Sequence, residues 1–379
     1  MRIVILGASG SIGQQTLDVI KLFPNDYELV GVSVGTRVEE VDKISSSFSS
    51  VKNACVKNHD DVSKVHSLVI DNVFDGSQGL LDLINISQPD LVVNALVGFA
   101  GLQPTLYCIE HDIDVALANK ESIVVGGQLI NDLLPHHRAK IYPIDSEHVA
   151  ISKCLNNKSE VKRLVLTASG GAFRDLSLQQ LEHVKAEDAL KHPSWNMGSK
   201  ITIDCATMMN KGFEIIEAHY LFNVSLDRIT ILMHDESKIH SLVEYKDGSF
   251  LADIGPTDMR IPISYALSKG SKKDLPYSLD LEQLGSFHFR PFDKEKYPCV
   301  EYARLALEKG GTLPCVINAA NEVAVNEFLM GNLRFLDIHR IIKKCMDDME
   351  YIEYPTFDDL LNIDDSTRQY AYKIIKEGL

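Results

Sequence analysis

Two carboxylates separated by one residue stand in the segment Pro143-Ile144-Asp145-Ser146-Glu147-His148. In an extended chain the side chains of Asp145 and Glu147 point to the same side, because side chains alternate with a period of two. Like charges held close together repel unless a cation or a proton lies between them. Oxygen ligands without cysteine suit Mg²⁺ or Mn²⁺, so the pair predicts a divalent-metal site. The alternative is a pair of solvated surface acids.

A second polar stretch, Asp204 to Glu214, supplies the third carboxylate that such a site needs. Asn210 and Glu214 are four residues apart, so they share one face of the helix predicted over residues 208–222. Lys211 stands beside them. A capped helix end with ordinary surface acids is the alternative.

The glycine-rich loop from Gly7 to Gly13 predicts a dinucleotide site. Glycine lets the backbone turn tightly and lets a pyrophosphate approach main-chain N–H groups, and the helix that follows adds partial positive charge. The spacing is GxxGxxG, but the loop follows a strand and opens an amphipathic helix, which is the context that the motif needs. A tight turn without a ligand is the alternative.

The end of the second predicted strand distinguishes NADH from NADPH. An NAD site usually places Asp or Glu there, whereas this sequence has Gly35-Thr36-Arg37. Thr36 and Arg37 suit a 2′-phosphate, so NADPH is predicted, with a solvated Arg37 as the alternative.

Three further polar clusters are predicted to lie in loops or at element ends. Ser169 with Gly170-Gly171 offers a hydroxyl and N–H groups to a phosphate. A single loop histidine such as His192 is typically structural or solvated, whereas Trp195, the only tryptophan, suits a lid over a substrate. The third cluster is Asn119 to Ser122.

The elements that must position these residues alternate strand and helix over residues 1–144, which predicts an α/β domain with a Rossmann-like parallel sheet. An α+β catalytic domain is predicted over residues 145–263, a linker over 264–298 and an α-helical domain over 299–379. A hairpin turn is predicted at Asp247-Gly248 and a surface loop at Ser45 to Ser50.

Composition narrows the class of protein. The net charge of −15 argues against nucleic acid and against an anionic membrane surface as partners. The longest apolar stretch, Leu91 to Leu102, is too short to span a bilayer. Seven cysteines without metal-ligand spacing favour reduced thiols. A bacterial cytoplasmic protein is therefore expected, with the mature form of a plastid protein as the alternative.

In their order along the chain, these segments resemble one family, the 1-deoxy-D-xylulose 5-phosphate reductoisomerases of the non-mevalonate isoprenoid pathway. The resemblance covers essentially the whole chain, and the combination of Met208–Gly212 with Asp145–Glu147 is highly specific. The segments that carry it are Gly7–Gly13, Leu117–Ser122, Pro143–His148, Leu166–Gly171, His192–Gly198, Ile203–Glu214 and Asn318–Glu322.

The resemblance implies a homodimeric enzyme that rearranges 1-deoxy-D-xylulose 5-phosphate, a small sugar phosphate. Hydride from NADPH then gives 2-C-methyl-D-erythritol 4-phosphate. It implies a divalent metal as Lewis acid, Lys120 as a stabiliser of developing oxyanion charge, and a flap that closes over the substrate.

The resemblance also assigns roles to individual residues. The implied NADPH contacts are Ser9, Gly10, Ser11, Ile12, Gly35, Thr36, Arg37, Asn119, Glu121 and Gly198. The implied ligands of Mg²⁺ or Mn²⁺ are Asp145, Glu147 and Glu214. The implied substrate contacts are Lys120, Ser146, Glu147, Ser169, His192, Trp195, Cys205, Asn210, Lys211 and Glu214, of which Lys120, Glu147 and His192 are expected to be catalytic.

The sequence departs from the family at three places. Cys205 replaces a serine that contacts the substrate phosphate, and a thiol is a weak donor. His234-Asp235-Glu236-Ser237 replaces His-Pro-Gln-Ser, which adds two acids near the predicted site, and Thr257 replaces a proline.

Two rival functions remain open at this point. One is an oxidoreductase related to semialdehyde or homoserine dehydrogenases, which would not need Asp145-Ser146-Glu147. The other is a non-catalytic NADPH sensor, which the changes at Cys205 and Asp235-Glu236 would favour.

Overall fold

The computed structural model describes residues 1–189 and 198–378. Contacts divide the chain into two compact units. The first unit contains residues 1–122, 130–149 and 258–276, and the second contains residues 123–129, 150–257 and 277–379.

The described strands, numbered in chain order, are β1 (Arg2–Leu6), β2 (Glu28–Ser33), β3 (Asn53–Val56), β4 (Asn72–Asp75), β5 (Leu91–Asn94), β6 (Asp114–Leu117), β7 (Ile141–Pro143), β8 (Val161–Ala168), β9 (Ile229–His234), β10 (Ile239–Tyr245), β11 (Phe250–Ile254) and β12 (Phe289–Pro291).

The described α-helices are α1 (Ser11–Leu22), α2 (Glu39–Ser47), α3 (Gly76–Ser87), α4 (Leu102–Glu110), α5 (Lys120–Leu133), α6 (Ser146–Cys154), α7 (Leu178–Leu181), α8 (Ala186–Ala189), α9 (Ser199–Ala206), α10 (Met209–Phe222), α11 (Arg260–Leu267), α12 (Leu281–Leu284), α13 (Pro298–Lys309), α14 (Leu313–Leu329), α15 (Phe335–Asp348) and α16 (Phe357–Glu377).

The first unit is built on a seven-stranded sheet in the order β4-β3-β2-β1-β5-β6-β7. Every neighbouring pair is parallel. The central strands read as short continuous apolar runs because a parallel sheet with helices on its faces is buried on both sides, and Ile3 to Leu6 are fully buried. The predicted Rossmann-like fold is confirmed.

The loops that carry predicted cofactor and metal residues follow the carboxyl ends of four of these strands. Gly7 follows β1, Gly35 comes soon after β2, Asn119 soon after β6, and Asp145 soon after β7. Because the strands are parallel, these loops lie at one edge of the sheet, which is where open α/β sheets bind their ligands.

The first unit also contains α11, from a later part of the chain. Ile263, Ala266 and Leu267 of this helix belong to the same apolar core as β1, β2 and α1. The core of the first unit is therefore completed by residues far along the sequence.

The second unit contains a mixed sheet in the order β11-β10-β8-β9-β12. Only the β8–β9 pair is parallel; β10 is antiparallel to both β8 and β11, and β12 is antiparallel to β9. The predicted turn at Asp247-Gly248 joins β10 to β11, with Gly248 at φ +87°. The helices α13 to α16 follow, as the helical periodicity predicts. No helix in the described part of the chain has the length and apolar character to cross a bilayer.

Two expectations about local structure are wrong. The chain is not extended through Asp145-Ser146-Glu147, because α6 begins at Ser146 and the Val149 N–H donates to the Asp145 carbonyl at 3.0 Å. The segment from Ser45 is not all surface loop, because Ser45 to Ser47 form the last turn of α2 and Ser45 is buried.

Candidate active site

The glycine-rich loop packs so tightly that side chains are excluded at two positions. A Cβ on Gly7, which has φ +84°, would lie 2.5 Å from the Ala95 carbonyl oxygen, and one on Gly13 would lie 2.4 Å from the Gly7 oxygen. The Gly10 N–H donates to the Gly7 carbonyl at 2.9 Å, and α1 starts at the next residue. The first N–H groups of a helix have no partner within it, so the loop presents main-chain donors and partial positive charge to an anion.

The segment after β2 is open and carries no acid. Nothing lies within 4 Å of the Cβ position of Gly35, and both Thr36 and Arg37 are exposed. Ser33, at the end of β2, accepts a hydrogen bond from the Gly7 N–H at 3.0 Å, which ties this strand end to the glycine loop. The arrangement leaves room and a cation for a 2′-phosphate.

Asn119 fixes the start of α5. Its side chain accepts from the Ser122 N–H at 3.1 Å and donates to the carbonyls of Leu96 and Gly98, each at 3.0 Å. Its amide also donates to Glu121 at 3.2 Å. Lys120 is the first residue of this helix. The network around Asn119 therefore fixes the backbone position from which the Lys120 side chain extends.

Lys120 and Asp145 form an ion pair in the first unit. The two side chains are only 8% and 16% exposed. A close pair of opposite charges with little water around it interacts more strongly than the same pair would at the surface. The pair joins the first residue of α5, which comes after β6, to the segment between β7 and α6.

Ser146 and Glu147 occupy the first turn of α6. The Ser146 hydroxyl donates to a Glu147 carboxylate oxygen at 2.7 Å. His148, for which the sequence suggested no role, is fully buried, and one of its ring nitrogens lies within 4.8 Å of an Asp145 carboxylate oxygen.

In the second unit, α9 and α10 meet at a strained residue. Met208 adopts a left-handed conformation, φ +61° and ψ +12°, although it is not glycine and is only 2% exposed. Backbone strain of this kind persists only where the surroundings determine it. The sharp change of direction at Met208 places Asn210 and Lys211 in the first turn of α10.

Asn210, Lys211 and Glu214 form one cluster on α10, as their spacing predicts. The Asn210 amide donates to Glu214 at 2.5 Å, and the Lys211 ammonium pairs with the other Glu214 oxygen. The Glu214 side chain is fully buried and that of Lys211 is 5% exposed. A buried carboxylate needs such partners, because removing a charge from water is costly.

The Ser169-Gly170-Gly171 turn lies directly against the end of α9. Gly170 and Gly171 have φ of +82° and +68°, and a Cβ on Gly171 would lie 2.7 Å from main-chain atoms of Cys205 and Ala206. Two segments that the family resemblance assigns to one phosphate site are therefore neighbours in space. Cys205 is partly exposed, unlike the other six cysteines, which are buried.

A residue that sequence reasoning missed supports this end of α9. Asn321 of α14 donates to Asp204 at 2.8 Å, and Lys200 donates to the other Asp204 oxygen at 2.9 Å. Both Asp204 and Asn321 are buried. The segment Asn318–Glu322 served only to identify the family, and nothing in its composition points to Asp204.

The two additional acids of the 234–237 turn are engaged by basic residues. Asp235 accepts from Arg290 at 2.7 Å and 3.1 Å. Glu236 accepts from the main-chain N–H of His288 at 3.2 Å and from its ring at 2.5 Å. Burial works to raise the pKa of Glu236, but these hydrogen bonds outweigh it and leave the pKa below its usual value.

The predicted site residues thus fall into two groups. The first unit holds the glycine loop, Gly35 to Arg37, Asn119 to Glu121 and Asp145 to Glu147, and the second holds Ser169, Gly198, Cys205 and the α10 cluster. Gly198 precedes the first residue of α9. His192 and Trp195 lie outside the described residues.

Family models match nearly the whole chain. The 1-deoxy-D-xylulose 5-phosphate reductoisomerase model matches residues 3–127, and the C-terminal domain model of that name matches residues 141–222. A further DXP reductoisomerase C-terminal domain model matches residues 254–370.

Full-length relatives and solved structures agree. The 1-deoxy-D-xylulose 5-phosphate reductoisomerases of Macrococcus caseolyticus (strain JCSC5402) and Bacillus cereus (strain AH187) are each 44% identical, over 98% of this chain and 99% of theirs. A DOX-P reductoisomerase crystallised with NADPH, fosmidomycin and magnesium has a TM-score of 0.93 at 37% identity, covering 99% of this chain and 98% of its own. The Zymomonas mobilis enzyme in complex with NADPH has a TM-score of 0.92 at 37% identity, covering 100% and 99%. The chain belongs to the 1-deoxy-D-xylulose 5-phosphate reductoisomerase family.

Proposed function

We propose that this protein converts 1-deoxy-D-xylulose 5-phosphate into 2-C-methyl-D-erythritol 4-phosphate, with NADPH as reductant and Mg²⁺ or Mn²⁺ as the metal. The observation that carries the proposal is the buried Lys120–Asp145 pair beside Ser146 and Glu147, at the sheet edge where the glycine loop also lies. This combination of cation, hydroxyl and carboxylates suits a substrate with neighbouring carbonyl and hydroxyl groups. A semialdehyde or homoserine dehydrogenase-like enzyme is set aside by the full-length family match.

The first unit fits NADPH. The positions of Gly7 and Gly13 exclude any Cβ, which lets the backbone approach the pyrophosphate, with Ser9 to Ile12 as the proposed contacts. Thr36 and Arg37 are proposed to hold the 2′-phosphate beside the open position of Gly35. Asn119, Glu121 and Gly198 are proposed as further contacts, with Asn119 also fixing the start of α5.

The donor set fits a hard divalent cation. Asp145, Glu147 and Glu214 offer carboxylate oxygens without sulfur, and Glu214 is a fully buried carboxylate, which is uncommon in the absence of a functional or structural reason. When bound, the cation polarises the substrate carbonyl and hydroxyl, and NADPH supplies a hydride.

The protein side chains hold charge and protons around the substrate. Lys120 is kept close to Asp145 and presents an ammonium group to developing negative charge on a substrate oxygen. The Ser146 hydroxyl, which now donates to Glu147, is proposed to bind a substrate oxygen. His192 and Trp195 are proposed to close over the substrate and exclude water.

The phosphate of the substrate is proposed to lie between the Ser169 turn and the end of α9. The tight contact of Gly171 with the main chain of Cys205 and Ala206 places the segment that carries the Ser169 hydroxyl beside the end of α9. Asn210 and Lys211, one short turn further along, add an amide and a cation.

We also propose that the enzyme is a cytoplasmic homodimer. β11 is an edge strand of its sheet and exposes Phe250, Leu251 and Ile254 by 48%, 39% and 44%. An exposed apolar edge strand is a liability unless another chain covers it. The seven free cysteines suit a reducing compartment.

The test is oxidation of NADPH, followed by its absorbance, with 1-deoxy-D-xylulose 5-phosphate and Mg²⁺. Oxidation should require both substrate and metal, and EDTA should abolish it. Glu214→Gln, which keeps the shape and removes the charge, should lower kcat roughly 100-fold or more while leaving the NADPH dissociation constant within about two-fold. Tight NADPH binding without any turnover would instead support the sensor.

A further inference from the structure

Lys296 places its ammonium group in a ring of main-chain carbonyls. Its Nζ donates to the carbonyl oxygens of Phe173 at 3.1 Å, Arg174 at 2.7 Å and Leu176 at 2.6 Å. An ammonium has three N–H donors, so these contacts account for all of them. One side chain thus binds three carbonyls of the four-residue stretch 173–176, which has no helix or strand of its own.

This stretch is the continuation of the Ser169-Gly170-Gly171 turn. Phe173 is buried and packs edge-to-face on Phe335 of α15, with the ring centroids 5.0 Å apart. Arg174 folds back and donates to the Ser169 carbonyl at 3.3 Å and to the Asp235 carbonyl at 3.1 Å. We name residues 169–176 the Ser169 loop.

In the described part of the chain, the ammonium of Lys296 binds main-chain carbonyls rather than a carboxylate. Its charge is compensated by carbonyl dipoles, with Asp175 and Asp293 as the nearby acids and Arg290 as the nearby cation. Burial is the largest influence and lowers the pKa of Lys296. Because a desolvated ammonium is costly unless its donors are used, the side chain favours the one loop conformation that offers all three carbonyls.

The position of the loop matters because it is packed tightly at Gly171. A side chain at Gly171 would meet the main chain of Cys205 and Ala206, so a loop that moves inward there meets backbone and a loop that moves outward separates Gly171 from Cys205. Close-packed interiors transmit such shifts rather than absorb them.

We propose that Lys296 is a positioning residue for binding of the substrate phosphate, acting through the Ser169 loop. The inference rests on the proposed function, which places that phosphate at Ser169 and Cys205. Lys296 itself touches neither substrate nor cofactor in this account. Lys296 lies in the segment before α13 and fixes the Ser169 loop from there. Losing the Lys296 ammonium weakens binding of the phosphate end of the substrate selectively.

The main test compares Lys296→Met with Lys294→Met. Methionine keeps an unbranched chain of similar length but has no N–H donor. Lys294 is the matched control, because it stands two residues earlier, is 71% exposed and pairs loosely with Glu301 at 3.7 Å. The readouts are kcat, the KM for the substrate, the inhibition constant of inorganic phosphate, and the dissociation constant of NADPH.

We expect Lys296→Met to raise both the substrate KM and the inhibition constant of inorganic phosphate by roughly ten-fold. The NADPH dissociation constant should stay within about two-fold, because the glycine loop is untouched. Lys294→Met should leave all four quantities within about two-fold. Equal values for the two variants would overturn the inference, as would a loss that extends equally to NADPH binding.

A second variant keeps the test decisive if Lys296→Met does not fold. Lys296→Ala, refolded with n-propylammonium, regains a cation with three N–H donors, whereas tetramethylammonium provides charge without donors. Recovery of the substrate KM with n-propylammonium alone supports the inference, and equal effects of the two cations refute it. Absence of turnover in the parent protein would instead refute the proposed function, so the two failures are distinguishable.

Discussion

At the scale of single residues, the buried charged side chains of the site have partners of opposite charge. Glu214 is fully buried with Lys211 and Asn210 as donors, and Lys120 is paired with Asp145. Removing one partner from such a pair leaves an uncompensated charge, which is more damaging than replacing both. These residues are consequently sensitive both to mutation and to the arrival of a ligand that competes for the same oxygens.

Cys205 gives a prediction for the phosphate site. Cys205→Ser replaces a weak donor by a hydroxyl at a partly exposed position beside Gly171. One additional hydrogen bond should lower the substrate KM by roughly 3- to 10-fold with little change in kcat, as steady-state kinetics will measure. Cys205→Ala is the control and should raise the KM or leave it unchanged. An unchanged KM in Cys205→Ser would place the phosphate away from this residue.

Sequence reasoning was most successful for residues whose chemistry is local. The α10 cluster follows from spacing alone, because residues four apart meet on a helix. The Lys120–Asp145 pair and the Asp204–Asn321 bond join residues that are far apart in sequence, and no period predicts such contacts. The metal triad and the individual ligand contacts stay predictions.

At the scale of elements, apolar runs and helical periods predicted most of the elements of the first unit's sheet, including short strands. The strands expected at residues 2–6, 28–34, 91–95, 114–118 and 140–144 correspond to β1, β2, β5, β6 and β7, and the helix expected over 208–222 corresponds to α10, whereas β3 and β4 were missed. β3 lies between Lys52 and Lys57, and β4 begins with Asn72 and ends with Asp75, so neither stands out as an apolar run. The turn from extended chain to helix at Ser146 was also missed, because the apolar pattern there is weak. The division into three domains stays a prediction.

The bond between α14 and the end of α9 gives a stability prediction. Asn321→Leu removes the donor to Asp204 and leaves a buried carboxylate with fewer partners. The free energy of unfolding should fall by about 2 kcal/mol, measured by urea denaturation. Asn332→Leu is the control, since Asn332 lies in an exposed loop after α14 and its side-chain amide donates to Glu327. This change should lower the free energy of unfolding by less than about 0.5 kcal/mol. Similar losses for the two variants would contradict the prediction.

The start of α11 gives a prediction about pH. Hydrogen bonds from the Arg260 guanidinium hold the pKa of Asp258 below its usual value, outweighing burial. A lowered folded-state pKa stabilises the protein above the unfolded pKa of about 3.9, and this stabilisation is lost as the pH falls through the folded value. Asp258→Asn should therefore cost about 1 kcal/mol at pH 7, and this cost should shrink towards zero as the pH falls through the folded-state pKa of Asp258.

Asp18→Asn is the control for this experiment, because Asp18 approaches the same arginine only to 4.0 Å and is 52% exposed. It should change the free energy of unfolding by less than about 0.5 kcal/mol at pH 7 and at low pH. A loss in Asp258→Asn that persisted at low pH would mean that packing rather than charge is responsible.

At the scale of the whole molecule, the exposed edge of β11 predicts self-association. Sedimentation should give twice the chain mass of 42.2 kDa. Leu251→Lys should shift the protein towards monomer, because a lysine on an edge strand opposes pairing. Leu281→Lys makes the same change at a 64% exposed leucine of α12 and should leave the dimer intact. A monomeric parent protein, or an unaffected Leu251→Lys, would contradict this account.

The recruitment of α11 to the core of the first unit has a consequence for synthesis in the cell. Residues 1–149 leave the ribosome well before Ile263, Ala266 and Leu267, which complete the core around β1 and α1. At about 5–20 residues per second, the first unit spends roughly 6 to 24 s with this apolar surface uncovered. We expect the nascent chain to bind holding chaperones during this interval. A ribosome stalled near residue 250 should carry a protease-sensitive first unit, and one stalled beyond residue 310 a resistant one.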